Sequence, residues 1–289
     1  MSNAANLRKL LSSGKMIVAP GAIDCITGRA IAQAGFSAAY MTGAGTSATL
    51  GYPDYGLITM SEMVGNASRI ANSIDIPLIS DSDTGFGNEL NVFRTVQEFE
   101  RAGVAAIHIE DQVFPKKCGH LDNKELVSRE DFIAKIRAAS AARRSKDFCI
   151  IARTDSRAVV GLDEAIERAN AALANGADVA FVEAPQTMAE IESVPKRVNG
   201  PCLLNVVRGG KTPEIDLDVA ERMGYAIAIV PGLLLGGIIQ TCDRLLGDLK
   251  QGKFPPVTGS PGKTFARFGA AEWDERRTAF RDPVKAAAE

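Results

Sequence analysis

The sequence predicts an α/β chain folded as a (β/α)8 TIM barrel, and three observations predict it. Short apolar runs rich in β-branched residues recur at intervals of roughly 20 to 40 residues, each followed by a stretch of helical period. Eight such units in about 250 residues match the size of that barrel. The main rival, an open doubly wound sheet, requires a G-x-G-x-x-G turn after the first strand, and the sequence has none there.

In chain order the expected strands are Met16–Ala22, Ala38–Gly43, Pro77–Asp83, Ala105–Asp111, Phe148–Asp155, Asp178–Ala184, Cys202–Val207 and Tyr225–Gly232. The helices between them carry recognisable ends. They are expected at Ser61–Ile74, Leu90–Ala102 closed by Gly103, Ser128–Arg144, Leu162–Asn175 closed by Gly176, and Asp218–Met223 closed by Gly224. After the last strand Leu233–Leu249 reads as a helix, and Pro255-Pro256 and Gly259 to Gly262 interrupt the chain before Phe265, Phe268, Trp273 and Phe280. The expected division is therefore a barrel over residues 1–255 and a helical C-terminal extension over 256–289, which needs a surface on which to bury its aromatics.

Composition excludes several functions. The 33 basic residues nearly balance the 35 acidic ones, so no strong positive field draws the chain to nucleic acid or an anionic membrane. Cys25, Cys118, Cys149, Cys202 and Cys242 are odd in number and form no C-x-x-C pair, against both a disulfide framework and a zinc ribbon. No apolar run approaches the roughly 20 residues that span a bilayer, and the opening Met1-Ser2-Asn3-Ala4-Ala5 is no signal peptide. A soluble chain in a reducing cytoplasm is the expectation.

The chemistry of such a barrel sits at the carboxyl ends of its strands. Those ends carry Thr42, Gly43, Asp81, Asp83, Glu110, Asp111, Arg153, Asp155, Glu183 and Asn205. Carboxylates at the end of strand after strand are costly unless a cation meets them. Asp81 and Asp83, two residues apart, face the same side of one strand, and Glu110 ends its neighbour. Oxygen donors without histidine suit a hard cation such as Mg2+, or Mn2+, although carboxylates that merely cap loop amides are the plainer reading. Lys116-Lys117-Cys118-Gly119-His120 lies in a loop from Gln112 to Val127, long enough for a lid. Two lysines and a histidine favour a thiolate at Cys118 and proton transfer near neutrality; the alternative is a solvated basic loop. Arg153 offers a bidentate clamp for a substrate carboxylate, or a salt bridge to Glu183 or Asp155. His108, inside its strand, is expected to be a satisfied core histidine.

Taken in order, Tyr40-Met41-Thr42-Gly43-Ala44-Gly45, Asp81-Ser82-Asp83-Thr84-Gly85-Phe86-Gly87, His108-Ile109-Glu110-Asp111-Gln112, Lys116-Lys117-Cys118-Gly119-His120, Ala152-Arg153-Thr154-Asp155 and Asn205 resemble the signature set of the isocitrate lyase and phosphoenolpyruvate mutase superfamily. The resemblance runs from about residue 6 to residue 255. It implies Asp81 as a direct Mg2+ ligand, with Asp54, Asp83 and Glu110 holding the metal's waters. It implies that Thr42, Gly43, Ala44 and Gly45 hold the substrate carboxylate, with Tyr40, Gly119, His120, Glu183 and Asn205 as further substrate-binding residues. Catalysis would rest on Cys118, Lys116 and Arg153. The lysine-cysteine-glycine-histidine loop points to the lyase branch, in which the cysteine handles a proton. A homotetramer, a dimer of dimers with terminal helices exchanged between subunits, is likewise implied.

The implied reaction is retro-Claisen cleavage between carbons 2 and 3 of a 2-hydroxy dicarboxylate, with a 2-oxo acid as one product. Two departures bear on the substrate. Arg208 stands where related lyases commonly have glutamate. The arginine that binds a third carboxylate in methylisocitrate lyases is replaced by Gly236, in Val230-Pro231-Gly232-Leu233-Leu234-Leu235-Gly236-Gly237. A third carboxylate buried there would lose hydration without gaining a partner. The expected substrate is thus an alkylmalate such as 2,3-dimethylmalate or citramalate, cleaved to pyruvate and a short carboxylic acid. The alternatives are 2-methylisocitrate cleavage, oxaloacetate decarboxylation or hydrolysis, phosphonate chemistry using Gly209-Gly210-Lys211, and a non-catalytic metabolite-binding barrel.

Overall fold

The structure is a computed structural model that describes residues 2–256 and 259–281. Its elements are α1 (Asn3–Leu11), β1 (Ile17–Ala22), α2 (Cys25–Gln33), β2 (Ala39–Met41), α3 (Gly43–Thr49), α4 (Met60–Ala71), β3 (Leu78–Asp81), α5 (Glu89–Arg101), β4 (Ala106–Glu110), α6 (Arg129–Ala142), β5 (Cys149–Thr154), α7 (Ser156–Val159), α8 (Leu162–Ala174), β6 (Val179–Val182), α9 (Met188–Arg197), β7 (Cys202–Asn205), α10 (Leu217–Arg222), β8 (Ile227–Val230), α11 (Leu233–Lys250), α12 (Pro261–Ala266) and α13 (Ala270–Arg281). The eight strands pair in parallel and in sequence order, and β1 pairs with β8 to close the barrel. All eight expected strands are present, each with trimmed ends.

Local chemistry explains the helix boundaries. Asp24, Thr59 and Asn88 each form a capping box that opens α2, α4 and α5. Gly103, Gly176 and Gly224 adopt φ of 88°, 107° and 99° just past α5, α8 and α10, a left-handed conformation that favours glycine. Helices α2 and α9 fill the helical stretches expected after β1 and β6, for which no bounds were given, and α1, α3 and α7 are additional. In α9 Pro195 sits inside the helix, and α3 is a Gly/Thr/Ser-rich segment, so intrinsic propensity hides both.

Strand alternation sets the core. Ile17 and Ala19, Tyr40, Ile79, Ala106, Cys149 and Ile151, Val179 and Phe181, Leu203, and Ile227 and Ile229 form one buried cluster in the barrel, with Leu7 of α1 packed against it. Ala39, Met41, Leu78, Ile107, Ile109 and Ile150 belong to the cluster shared with α4 and α5. Continuing the inward row by twos toward the carboxyl ends leads to Thr42, Asp81, Asp83, His108, Glu110, Arg153, Glu183 and Asn205. The same period that fills the barrel with apolar side chains delivers polar ones to its mouth.

The chain divides into two compact units, one ending at Gly237 and one beginning at Ile238, within α11. In the second unit α12 and α13 bury no residue, and Phe254, Phe265, Trp273 and Phe280 are all more than half exposed. Residues 257–258 and 282–289 of the expected 256–289 extension lie outside the described residues. Among the described residues no helix is long and apolar enough to cross a membrane.

Candidate active site

Asp81, at the end of β3, is tied on every side. Its Oδ2 accepts from the Gly43 amide at 3.0 Å and from the Tyr40 hydroxyl at 3.3 Å, and its Oδ1 accepts from the Asp83 amide at 3.0 Å. His108 Nε2 lies 3.3 Å from Oδ1 and 2.8 Å from the Tyr40 hydroxyl. Burial alone would raise the Asp81 pKa, but His108, Lys116 and Arg153 outweigh it and hold this carboxyl well below its ordinary range. His108 is therefore part of the site's support. Its inward parity was the signal that the sequence reading passed over.

Around Asp81 stand the other expected metal carboxylates. Lys116 Nζ lies 2.9 Å from Asp83 Oδ1 and also pairs with Asp54. Burial nonetheless pushes Asp83 up to about 6 and Glu110 well above the ordinary carboxylate range, against the pull of Lys116 and Arg153. Beyond their ion pairs with Lys116 and Arg153, Asp83 Oδ1 and both Glu110 carboxyl oxygens are buried without a hydrogen bond. Such under-compensated negative charge fits a hard divalent cation. Among the described residues no group of three or more His, Cys, Asp or Glu side chains is arranged to bind a metal directly.

The loop between β4 and α6 folds back on itself as a short antiparallel bridge between Gln112 and Leu126. The Cys118 amide donates to the Asp54 carbonyl at 3.2 Å, and the Gln112 amide group donates to the Lys117 carbonyl at 2.8 Å. The expected low thiol pKa does not follow from this placement. Burial is the dominant influence and pushes the Cys118 thiol up. The Lys116 ammonium is taken by Asp54 and Asp83, and that of Lys117 reaches only the Asn123 carbonyl at 3.4 Å. The placement therefore favours the thiol form of Cys118 over the thiolate.

His120 Nδ1 accepts from the Lys211 amide at 3.0 Å, which leaves the ring proton on Nε2, 3.1 Å from Glu183 Oε1. Asn205 Nδ2 donates to Glu183 at 3.2 and 3.3 Å. Burial opposes ionisation of Glu183, but Arg153, His120 and Asn205 prevail and lower it to about 2. Arg153 itself is caged: Nε and Nη2 donate to Asp155 at 3.0 and 3.2 Å, Nη1 is 3.2 Å from Glu110, and Nη2 is 3.9 Å from Glu183. The salt bridges that were its plainer reading are present, at the floor of a cavity.

That cavity, about 140 Å³, is lined by Tyr40, Thr42, Ala44, Asp54, Asp81, Cys118, Gly119, His120, Arg153, Glu183 and Asn205, all anticipated from sequence. Val207, Pro231, Gly232 and Leu235 complete the wall; Pro231, Gly232 and Leu235 belong to the apolar stretch expected to face the substrate, and Val207 was not anticipated. Asp83, Glu110 and Lys116 adjoin it through Asp81, Arg153 and Asp54 respectively. Gly43 and Gly45 serve as close-approach positions. A Cβ on Gly43 would strike the Asp81 carboxyl, and one on Gly45 would strike Ile23 and Thr42. Gly119 has the same role in the β4–α6 loop, where a Cβ would collide with Arg153 and Glu183. Arg208 does not enter the cavity; its side chain is 76% exposed and its Nε is 3.5 Å from Glu214.

Comparison with known proteins identifies the family. A profile of the phosphoenolpyruvate phosphomutase family matches residues 7–249. The chain is 50% identical over 232 residues to 2,3-dimethylmalate lyase of Eubacterium barkeri, covering 80% of each chain. It is 43% identical over 245 residues to 2-methylisocitrate lyase of Aeropyrum pernix, covering 85% of this chain and 79% of that protein. Among solved structures, oxaloacetate acetylhydrolase in complex with 3,3-difluorooxalacetate superposes with a TM-score of 0.93 at 38% identity, over 96% of this chain and 97% of that one. Phosphonopyruvate hydrolase, solved as a complex with oxalate and Mg2+, is 30% identical over 98% of this chain and 99% of that one, with a TM-score of 0.85. Matched along most of its length by profile, sequence and fold, the chain belongs to the phosphoenolpyruvate mutase and isocitrate lyase superfamily.

Proposed function

We propose that the protein is a Mg2+-dependent carbon–carbon lyase that cleaves an alkylmalate, such as 2,3-dimethylmalate or citramalate, to pyruvate and a short carboxylic acid. One observation carries this reading. The thiol of Cys118 shares a cavity with Asp81 and Arg153, and the facing wall of Val207, Pro231, Gly232 and Leu235 is apolar. That wall suits an alkyl substituent and offers no cation to a third carboxylate. Arg208, the other departure from related lyases, lies against Glu214 and supplies no cation to the cavity.

Asp81 would ligate the ion directly, with Asp54, Asp83 and Glu110 holding its waters; when bound, Mg2+ supplies Lewis acidity at the oxygens of the 2-oxo-acid half. Tyr40, Thr42 and the Gly43–Gly45 turn orient the substrate carboxylate, while Arg153, His120 and Asn205 supply donors to the departing half. As the 2-hydroxyl gives up its proton to water, its oxygen becomes the carbonyl of pyruvate and the C2–C3 bond breaks with its electron pair on C3. The neutral Cys118 thiol then delivers a proton to C3. Lys116 binds Asp54 to Asp83 and so holds the carboxylate cluster together.

Free thiols throughout the described chain suit a reducing cytoplasm. The exposed aromatics after Phe254 suit a homotetramer in which the extension over 256–289 lies at a subunit interface, exchanged between subunits.

The similarity to oxaloacetate acetylhydrolase and to 2-methylisocitrate lyase supports two rival reactions on the same site. Steady-state kinetics with Mg2+ on 2,3-dimethylmalate, citramalate, 2-methylisocitrate and oxaloacetate decide among them. The largest kcat/KM is expected for an alkylmalate, with activity lost in excess chelator. A value for 2-methylisocitrate or oxaloacetate at or above every alkylmalate overturns the proposal.

A further inference from the structure

Lys124 lies outside the set of residues read as catalytic or substrate-binding, yet its side chain is only 1% exposed. A buried ammonium is costly unless paired, so its partners identify its task. Lys124 Nζ donates to the carbonyl of Gly119 and lies 3.4 Å from Asp155 Oδ1. The first partner belongs to the lid, one residue after Cys118. The second stands just past the end of β5, and its Oδ1 also accepts from Arg153 Nη2 at 3.2 Å. Asp155 is itself anchored from behind, because its amide donates to Asp111 Oδ1 at 2.8 Å.

We propose that Lys124 is a positioning residue, a latch that holds the Cys118–His120 segment against the Arg153–Asp155 pair and so sets the depth of the thiol in the cavity. The ammonium joins the backbone of the loop at Gly119 to the side chain of Asp155. Lid and clamp are held through one shared oxygen, Asp155 Oδ1. The missing Cβ at Gly119 lets the segment lie against Arg153 and Glu183, and Lys124 keeps it there.

The inference rests on the lid containing the reactive thiol, and its test requires no substrate. The full chain is treated with iodoacetamide, and alkylation at each cysteine is followed by peptide mass spectrometry. For Lys124→Met, alkylation of Cys118 is expected to accelerate roughly tenfold, the shift in an open–closed equilibrium produced by losing a charged hydrogen bond. Cys149 and Cys202, buried in the barrel wall, stay protected as in the parent. Lys124→Arg regains much of the protection. Lys117→Met, which removes an ammonium directed only at the Asn123 carbonyl, leaves the Cys118 rate unchanged. In the assay kcat falls more than KM rises for Lys124→Met. Should that variant not fold, Lys124→Gln provides the same readout, because it also removes the charge that Asp155 receives. A Cys118 rate equal to the parent's overturns the latch, as does acceleration shared with Cys149 and Cys202. A faster Cys118 in a protein that cleaves no alkylmalate leaves the latch standing and removes only the proposed substrate.

Discussion

Arg153→Met keeps the aliphatic stem of the side chain and removes the guanidinium, so it measures what that cation holds together. Arg153 Nε lies 3.0 Å from Asp155, Nη1 3.2 Å from Glu110 and Nη2 3.9 Å from Glu183, and these three carboxylates are at most 1% exposed. Removing one partner of a buried ion pair typically costs about 3–5 kcal/mol, because the other charge stays behind unpaired. Glu183 offers an independent scale. Its carboxyl is lowered from 4.5 to about 2, and Arg153 is the largest favourable contributor. At 1.36 kcal/mol per unit, that displacement corresponds to on the order of 3 kcal/mol, shared with His120 and Asn205. For a domain of this size each kcal/mol moves Tm by roughly 2–4 °C, so a fall of about 10 °C is expected near pH 7.

The sign of the pH dependence follows from the depressed carboxyl. Its stabilisation is fully present above about 4.5 and is lost as pH falls through about 2. The gap between parent and Arg153→Met should therefore be full at neutral pH and begin to close below about 4.5. Circular-dichroism melts of both proteins at pH 7, 5 and 4 check this. A variant that melts with the parent at pH 7, or a gap that widens on acidification, refutes the reasoning.

Asp81→Ala is expected to abolish turnover in excess Mg2+ while the protein stays folded, since it vacates a ligand position and leaves Gly43 and Asp83 amides unpaired at a cost of about 1–3 kcal/mol each at most; retained turnover would remove Asp81 from the metal site. Cys118→Ser should keep KM near the parent value and lower kcat on the order of a hundredfold, because a hydroxyl is a far weaker acid than a thiol, and an unchanged kcat would show that another group delivers the proton. Because burial raises the Cys118 pKa, its alkylation by iodoacetamide should still be rising above the ordinary thiol range; a rate that levels off by neutral pH would restore the thiolate reading. Truncation after Gly252 should give dissociation or insolubility by analytical ultracentrifugation, and a monodisperse active tetramer without the tail would refute an interface role.

Much of the site was legible because strand alternation is local. Once the eight strands are identified, parity alone assigns Asp81, Glu110, Arg153, Glu183 and Asn205 to the inward row at the barrel mouth. His108 follows the same parity, but an isolated histidine in a strand is usually core, so composition alone hides its role. Lys124 gave no comparable signal, since a lysine in a polar loop reads as solvated. The apolar wall was legible only in part: Pro231, Gly232 and Leu235 lie in the stretch expected beside the substrate, whereas Val207, just past β7, joins them only in the folded chain.

The sequence by itself determined the barrel, its strand order of chemistry and the residue types at its mouth, since the periods of two and 3.6 and the glycine stops depend only on neighbours along the chain. The tertiary structure decided how those charges are spent. It brings Lys116 to Asp54, 62 residues away, and to Asp83, which takes from Cys118 the ammonium that would have lowered its pKa. It sets the Lys211 amide against His120, 91 residues away, and so fixes which nitrogen of that ring faces Glu183. Burial and Coulomb interaction act through space, and no spacing along the chain reports which distant groups will share a low-dielectric pocket.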